Sequence, residues 1–290
     1  MSSNPTNNSR LAGTIVLVHG LWLTPRSWEH WVTRYAERGY RVLAPAWPGT
    51  EFDAAAQHEH LGMTDGLGVT EVADHYDTFI RGLTAPPIIM GHSFGGLLVQ
   101  ILLDRGLGSA GVAIHPAPVK GVRRLPLSAL RSALPVLRNP ANRRKTVALT
   151  PGQWHYGFTN TLSQDDSRAL YDRYHVPCTG RPLWQAATAN LLWHPATQVD
   201  LCNHSRAPLL LVAGGADHTV PTSLVKETAA RYGKSRAVTD YREFPGRPHF
   251  TVGIPGWEEV ADYALDWAAR QTTAKKIIPE PTGGQSRTSE

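Results

Sequence analysis

Short apolar runs rich in β-branched residues alternate with longer segments in which apolar residues recur every three or four positions. The runs have the length of buried strands, and the longer segments have the period of helices that cover a sheet. Strands are predicted at 14–18, 40–45, 111–115, 208–213 and 237–244, and in the run that begins at Ile88. Helices are predicted from Pro25 to near Gly39, from Thr70 as the capping residue to Leu83, and over 97–103, 222–232 and 256–270. This alternation predicts a doubly wound α/β fold with a mostly parallel sheet.

The alternation stops between Pro116 and about Arg206, where prolines and short helical patches dominate. This stretch is also rich in aromatic residues, which disordered segments lack, so it is predicted to be a packed helical cap. Its aromatic residues are Trp154, Tyr156, Phe158, Tyr171, Tyr174, Trp184 and Trp193. The predicted organisation is a disordered tail at 1–13, a first core part at 14–115, the cap at 116–206, a second core part at 207–271 and a disordered tail at 272–290.

A serine lies at the junction between the apolar run that begins at Ile88 and the helix that follows it. The pattern Gly91-x-Ser93-x-Gly95 is typical of a nucleophile elbow, because a tight strand-to-helix turn leaves no room for bulky neighbours two positions away. The same turn directs the backbone N–H of Phe94 toward an oxygen that becomes negative during acyl transfer. The pattern therefore predicts Ser93 as a nucleophile and Phe94 N–H as an oxyanion donor.

Two further residues follow predicted strands and can activate this serine. Asp217 comes after the strand at 208–213, and His249 comes after the strand at 237–244. The carboxyl ends of parallel strands meet at one edge of a sheet, so these side chains are expected near Ser93. A serine hydroxyl needs a base that is oriented by an acid. We predict His249 as the general base and Asp217 as the acid that orients it.

Two other histidines are alternative bases. His92 lies beside the serine in the elbow, where its side chain is expected to point away from Ser93. His218 is expected to be a local neighbour of Asp217. Neither position is as suitable as that of His249.

Four motifs in this order resemble the α/β-hydrolase superfamily, specifically its serine-nucleophile, esterase- and lipase-like members with a helical cap. The motifs are Leu17-Val18-His19-Gly20, Gly91-His92-Ser93-Phe94-Gly95-Gly96, Gly214-Gly215-Ala216-Asp217-His218-Thr219-Val220-Pro221 and Phe244-Pro245-Gly246-Arg247-Pro248-His249-Phe250. The usual first two strands of that family have no counterpart here, which implies a sheet of about six strands. The family's alternative position for the acid follows the strand that ends at His115 and holds no carboxylate, which favours Asp217.

The resemblance also implies a second oxyanion donor in the loop after the first strand. The residue after the His-Gly pair is Leu21, with Trp22 next, and His19 is expected to brace the loop. A substrate is expected to contact side chains of this loop, the elbow and the cap. The candidate substrate-binding residues are Trp22, His92, Trp154, Tyr156, Phe158 and Trp184.

Composition places the chain among soluble globular proteins, with 41% hydrophobic and 18% charged residues. No signal-peptide h-region or membrane span is evident, so a cytoplasmic location without stable membrane insertion is expected. The two cysteines, Cys178 and Cys202, are too few for a disulfide framework and are expected to be reduced. The oligomeric state is not predicted.

The net charge of +5 comes from one segment. Residues 118–150 hold eight basic residues and no acidic one. No aromatic residue is interleaved with them and no nucleic-acid-binding motif is present, so a nucleic-acid partner is not expected. A solvated positive face is one interpretation, and attraction of an anionic substrate, an acyl-carrier partner or a membrane surface is the other.

No metal or other cofactor is predicted. His58-Glu59-His60 resembles a pair of metal ligands, but no further ligand stands at a useful spacing. The serine nucleophile also excludes epoxide opening and halide displacement, for which related enzymes use an aspartate at the elbow. The predicted function is hydrolysis of an ester, thioester or lactone of a small to medium apolar substrate. The alternatives are a small-molecule receptor or scaffold on this fold, and a cofactor-free lyase or perhydrolase with the same triad.

Overall fold

The computed structural model describes residues 11–50 and 64–277, and a six-stranded sheet forms its centre. The strands in chain order are β1 (Gly13–Val18), β2 (Tyr40–Leu43), β3 (Ile88–His92), β4 (Ala110–Ile114), β5 (Thr146–Val147), β6 (Cys178–Thr179), β7 (Leu209–Gly214) and β8 (Thr239–Phe244). The central order is β2-β1-β3-β4-β7-β8, and each neighbouring pair is parallel. The predicted doubly wound parallel sheet of about six strands is confirmed.

Helices flank this sheet and fill the connection between β4 and β7. They are α1 (Glu29–Glu37), α2 (Val69–Arg81), α3 (Phe94–Asp104), α4 (Leu127–Leu137), α5 (Pro151–Phe158), α6 (Gln164–Tyr174), α7 (Arg181–Thr188), α8 (Thr222–Arg231) and α9 (Trp257–Ile277). Short 3-10 helices lie at Pro25–Trp28, Pro140–Arg144, Ala189–Leu191 and Tyr232–Lys234.

The inner strands are covered on both faces. Every residue of β3, β4 and β7 is buried, as expected for a parallel sheet between two helical layers. The aromatic stripe of the first helical region is core, as its period predicts. Trp31 donates its indole N–H to the Val252 carbonyl at 2.9 Å, and the Tyr35 hydroxyl donates to the Ala261 carbonyl at 2.7 Å. These bonds tie α1 to the last part of the chain.

Two helix starts differ from the predictions. The cap of α2 is Gly68 rather than Thr70, because the N–H of Val69 donates to the Gln185 side chain at 2.9 Å and needs no local capping hydroxyl. The helix after the elbow begins at Phe94 rather than at Leu97, so the turn is tighter than the sequence pattern predicts.

The predicted tails are also shorter than expected where they can be compared. Gly13 belongs to β1, and α9 continues to Ile277, so residues 272–277 are helical rather than disordered. The remaining tail predictions, at 1–10 and 278–290, lie outside the described residues. The pair His58 and His60 also lies outside them.

The connection between β4 and β7 carries α4 to α7 and an antiparallel pair formed by β5 and β6. We call residues 116–206 the inserted segment. Its carbonyl at Val147 accepts the Trp22 indole N–H at 3.0 Å, and its N–H at Val176 donates to the Trp22 carbonyl at 3.0 Å. The Phe158 carbonyl accepts from Phe250 N–H at 2.8 Å. The inserted segment is therefore anchored on the two core loops that contain Trp22 and Phe250.

Candidate active site

Ser93 occupies the turn between β3 and α3 in a backbone conformation that is rare for residues with a side chain. Its φ is 58° and its ψ is −119°, which places it in the strained region where nucleophile elbows occur. A Cβ at Gly91 would collide with the Gly95 carbonyl, and a Cβ at Gly95 would collide with the Val18 carbonyl. The two glycines therefore permit the turn because the backbone approaches each of them too closely for any side chain.

Ser93, His249 and Asp217 form one connected chain of contacts. His249 Nε2 lies 3.0 Å from Ser93 Oγ, and His249 Nδ1 lies 2.7 Å from Asp217 Oδ2. Because Nδ1 faces a carboxylate, it carries the ring proton, and Nε2 is left to accept from the serine hydroxyl. The three residues come from the ends of β3, β7 and β8, so the parallel sheet brings them together at one edge.

The Asp217 carboxylate is almost completely saturated with donors. Its Oδ1 accepts from the backbone N–H groups of Thr219 and Val220, each at 2.7 Å. Burial alone would raise the pKa of Asp217, but the neighbouring His249 and His115 rings hold that pKa well below its usual range. The carboxylate is therefore ionised and fixed in orientation toward His249.

His115 contacts the same carboxylate and was not selected by sequence reasoning. Its Nδ1 lies 2.9 Å from Asp217 Oδ2, and both side chains are fully buried. The end of β4 is the family's alternative position for an acid, and a histidine there does not match that pattern. A search for any polar residue at the carboxyl ends of the strands would have found it.

His92 lies behind His249 rather than facing an open pocket. Its ring is fully buried, and its Nε2 donates to the His249 carbonyl at 2.8 Å. The predicted orientation away from Ser93 agrees with this bond. The predicted contact with substrate does not, because the ring supports the His249 backbone and has no exposed surface.

The side chain of His218, which follows Asp217 in the chain, contacts the inserted segment. Its Nδ1 lies 3.0 Å from the Tyr156 carbonyl oxygen, and its ring packs against the Tyr156 ring with a centroid distance of 4.7 Å. These contacts join the loop after β7 to α5.

The backbone around Ser93 offers unused hydrogen-bond donors. Among the described residues, neither the Leu21 N–H nor the Phe94 N–H donates to any group. The loop with Leu21 runs directly against the serine, since a Cβ at Gly20 would lie 2.8 Å from Ser93 Cβ. Trp22 has a φ of 61°, and its N–H likewise makes no hydrogen bond within the described chain. Unpaired donors beside a nucleophile are what an oxyanion hole requires.

Aromatic side chains cover His249. The Phe158 ring meets the His249 ring edge-on at 4.9 Å, and Trp154 stacks on Phe158 at 4.4 Å. The Trp22 ring meets Phe158 edge-on at 6.0 Å. Ser93 is 5% exposed and His249 is 0% exposed, so this aromatic layer nearly closes the site.

The other two aromatic candidates lie outside this layer. Tyr156 packs against His218 and under the Arg131 guanidinium, which lies 4.0 Å from the ring centroid. Trp184 lines a separate cavity of about 590 Å³, which we call the arginine cavity. Its lining residues are Gly66, Arg143, Arg144, Arg181, Trp184, Gln185 and Thr188.

Three imidazoles lie close enough to suggest a metal site. One ring nitrogen from each of His92, His115 and His249 lies within 4.8 Å of the others. Both His249 nitrogens already contact Ser93 and Asp217, so a metal there would have to displace one of these contacts. The donor set fits a hydrogen-bonded network better than a metal centre.

His19 braces the loop beneath the site. Its ring stacks on Trp47 at 5.3 Å, its Nδ1 donates to the Gly20 carbonyl at 2.9 Å, and its Nε2 accepts from Trp47 N–H at 3.1 Å. Burial lowers the pKa of His19 from 6.5 to about 4. The role expected for His19 in bracing the loop is confirmed by these contacts.

This buried histidine predicts a loss of stability in mild acid. Below pH 6.5 the unfolded chain protonates His19 while the folded protein does not, so stability falls as the pH drops from 6.5 toward 4. We expect His19 to lower the free energy of unfolding by about 2 kcal/mol between pH 7 and pH 5. Urea unfolding at both pH values measures this difference.

The contribution of His19 is isolated by substitution. His19→Gln should reduce the pH-dependent part of the unfolding free energy, whereas His194→Gln, at an exposed position, should leave it unchanged. Burial also lowers the pKa of His92 and His115, so part of the acid sensitivity will persist in His19→Gln. An identical pH dependence in His19→Gln and the wild type would contradict the prediction.

A sequence model of the Alpha/beta hydrolase family matches residues 15–263, which is most of the chain. The chain belongs to the alpha/beta hydrolase family. As a member of this family, it is an enzyme of the hydrolase type, as its motifs predict. No curated protein matches the sequence.

Solved structures share the fold of this alpha/beta hydrolase at low sequence identity. The monoacylglycerol lipase of Paleococcus ferrophilus is 22% identical with a TM-score of 0.61, covering 89% of this chain and 94% of the lipase. An extracellular alpha/beta-hydrolase from a Paenibacillus species is 18% identical with a TM-score of 0.64, covering 89% of this chain and 99% of its own. The thioesterase domain from the curacin biosynthetic pathway is 17% identical with a TM-score of 0.58, covering 87% of this chain and 91% of the domain.

Within residues 11–50 and 64–277, no helix of this alpha/beta hydrolase has the length and apolar character needed to cross a membrane.

Proposed function

We propose that this chain is a serine hydrolase that cleaves an ester, thioester or lactone of a small to medium apolar substrate through an acyl-enzyme. The observation that carries the proposal is the continuous contact from Ser93 Oγ through His249 to Asp217, at 3.0 and 2.7 Å. The names of two structural neighbours, a lipase and a thioesterase, support an ester or thioester as the scissile group.

In the proposed mechanism, His249 Nε2 removes the hydroxyl proton as Ser93 Oγ attacks the substrate carbonyl carbon. The N–H groups of Leu21 and Phe94 donate to the oxyanion of the tetrahedral intermediate, with Trp22 N–H as the alternative donor in the same loop. His249 then gives the proton to the leaving alcohol or thiol. A water molecule, deprotonated by His249 in the same way, then attacks the acyl-enzyme, which releases the carboxylic acid and restores Ser93.

Asp217 stays ionised throughout this sequence. Its Oδ2 accepts from His249 Nδ1–H and stabilises the imidazolium that forms when Nε2 takes the proton. Phe158 and Trp22 enclose the reacting atoms with apolar surface, which strengthens these charge interactions and favours an apolar substrate.

A fluorophosphonate probe and a short-chain p-nitrophenyl ester test the proposal together. An activated serine should be labelled, and peptide mass spectrometry should place the phosphonate on Ser93, with ester hydrolysis that persists in EDTA. Folded protein that is not labelled and binds a metabolite without turnover would favour a receptor. Labelling without net hydrolysis of any ester would favour a lyase or perhydrolase, which product analysis distinguishes.

The arginine cavity favours anionic substrates, and this preference can be tested. Arg181 pairs with Glu71 at 2.7 Å, whereas Arg143 and Arg144 are exposed and form no ion pair with any described residue. Unpaired guanidinium groups raise the local concentration of an anion and pair well with carboxylate and phosphate. We propose that these guanidinium groups attract esters and thioesters that carry an anionic group in addition to their apolar part.

We expect the double substitution of Arg143→Glu and Arg144→Glu to lower kcat/KM about tenfold for an anionic ester and to leave a neutral ester of equal chain length unchanged. The wild-type kcat/KM for the anionic ester should fall with added salt, because exposed charges are screened. Arg138→Glu is the matched control, since Arg138 is exposed in the same segment and does not line the cavity. Equal effects on both esters would mean that the arginines form only a solvated face.

A further inference from the structure

The residue that ends β4 is held in an unfavourable conformation. His115 has a φ of 47°, in the left-handed region that residues with a Cβ seldom occupy, and its ring is fully buried. Its backbone N–H donates to the Val212 carbonyl at 2.8 Å, which continues the ladder between β4 and β7. Strain at a buried polar residue persists only where the surrounding structure enforces it.

The ring of His115 is directed at the Asp217 carboxylate. Its Nδ1 lies 2.9 Å from Oδ2, the same oxygen that His249 Nδ1 contacts at 2.7 Å. The two atoms lie within hydrogen-bonding distance, but the ring N–H is not directed at the oxygen, so the contact is a short polar contact and not a hydrogen bond. Oδ2 therefore lies between two imidazoles, while Oδ1 is held by backbone N–H groups.

The chain around His115 leaves room for this ring and for little else. A Cβ at Gly214 would collide with His115 Cε1, so the glycine at the end of β7 makes space for the imidazole. The titratable groups that surround the ring are Asp217, His249, His92 and Arg247. Burial lowers the pKa of His115, so the ring is neutral at pH 7 and contributes an N–H dipole rather than a charge.

We propose that His115 is a positioning residue for the active site: it places a polar ring edge against Asp217 Oδ2 and so keeps the carboxylate in line with His249. This inference rests on the proposed function and assigns the polar end of β4 a role within it.

Two substitutions distinguish the effect of the polar N–H of His115 from the effect of filling the space that its ring occupies. The Asn side chain can place an N–H close to the position of Nδ1 and tolerates a positive φ, so His115→Asn should retain kcat to within about threefold. His115→Phe fills the space without a donor. It should lower kcat about tenfold with KM unchanged, because the Asp217 carboxylate is no longer held in line with His249.

A measurement without turnover keeps the test independent of the proposed function. Proton NMR of the His249 Nδ1–H in a Ser93→Ala background should show a shifted resonance when His115→Phe is added, because the contact with Asp217 is realigned, and little change with His115→Asn. Wild-type protein that neither hydrolyses esters nor reacts with the fluorophosphonate would refute the proposed function, while this resonance would still report on His115. An unchanged His249 Nδ1–H resonance in His115→Phe, or equal kcat losses in both variants, would overturn the positioning role.

Discussion

Substitution of Ser93 by alanine is expected to reduce turnover of a short-chain p-nitrophenyl ester by about 10⁶-fold, the loss seen when the nucleophile of a serine protease is removed. In the proposed mechanism the substitution deletes the atom that forms the acyl-enzyme, because Ser93 Oγ is the hydroxyl that lies 3.0 Å from His249 Nε2. The residual rate should not depend on the acyl chain length. Burst and steady-state kinetics under identical conditions measure the loss.

Two controls make this result interpretable. Ser223→Ala alters a partly exposed serine on α8 and should retain full activity and full fluorophosphonate labelling. The Ser93→Ala protein should unfold at a temperature close to that of the wild type. Alanine must adopt the same φ of 58° as serine, so the backbone strain at the elbow is unchanged. Turnover within tenfold of the wild type would show that Ser93 is not the nucleophile.

The sheet and the convergence of three site residues follow from short-range patterns in the sequence. Apolar runs predict strands, and strand order then places Ser93, Asp217 and His249 at one edge, where the structure brings them within hydrogen-bonding distance. The elbow can be predicted from the sequence because local backbone crowding excludes any side chain at Gly91 and Gly95. Such features depend on residues that are neighbours in sequence or at strand ends.

Other features depend on contacts between distant segments, and the sequence does not reveal them. The start of α2 is capped by Gln185, which lies 116 positions along the chain from Val69, so a local capping pattern at Thr70 was misleading. The positions of the aromatic residues in the inserted segment are another case, because Phe158 contacts His249 while Trp184 lines the arginine cavity. Both outcomes depend on how the inserted segment packs, and helical periodicity carries no information about that.

Asp217→Asn is expected to lower kcat by about 10⁴-fold, comparable to the effect of the same change in the triad of a serine protease. Every group around the Asp217 side chain is a donor: two backbone N–H groups at Oδ1 and two imidazoles at Oδ2. An amide has only one acceptor oxygen, so its NH₂ must face a donor. If the oxygen stays with the backbone, the NH₂ group faces His249 Nδ1 and favours the tautomer with the proton on Nε2. That proton then faces Ser93 Oγ, and the base can no longer accept from the serine.

A change in the His249 tautomer can be distinguished from a general loss of structure. In Asp217→Asn, ring-nitrogen NMR of His249 should show the proton moved from Nδ1 to Nε2, and fluorophosphonate labelling should slow in parallel with kcat. Asp165→Asn is the control, because Asp165 is an exposed carboxylate at the start of α6 and its loss should change neither quantity. A loss of less than tenfold in Asp217→Asn, with the His249 tautomer unchanged, would mean that a different group orients His249. The nearest histidine is His92, whose ring centroid lies 4.8 Å from that of His249 and whose Nε2 donates to the His249 carbonyl.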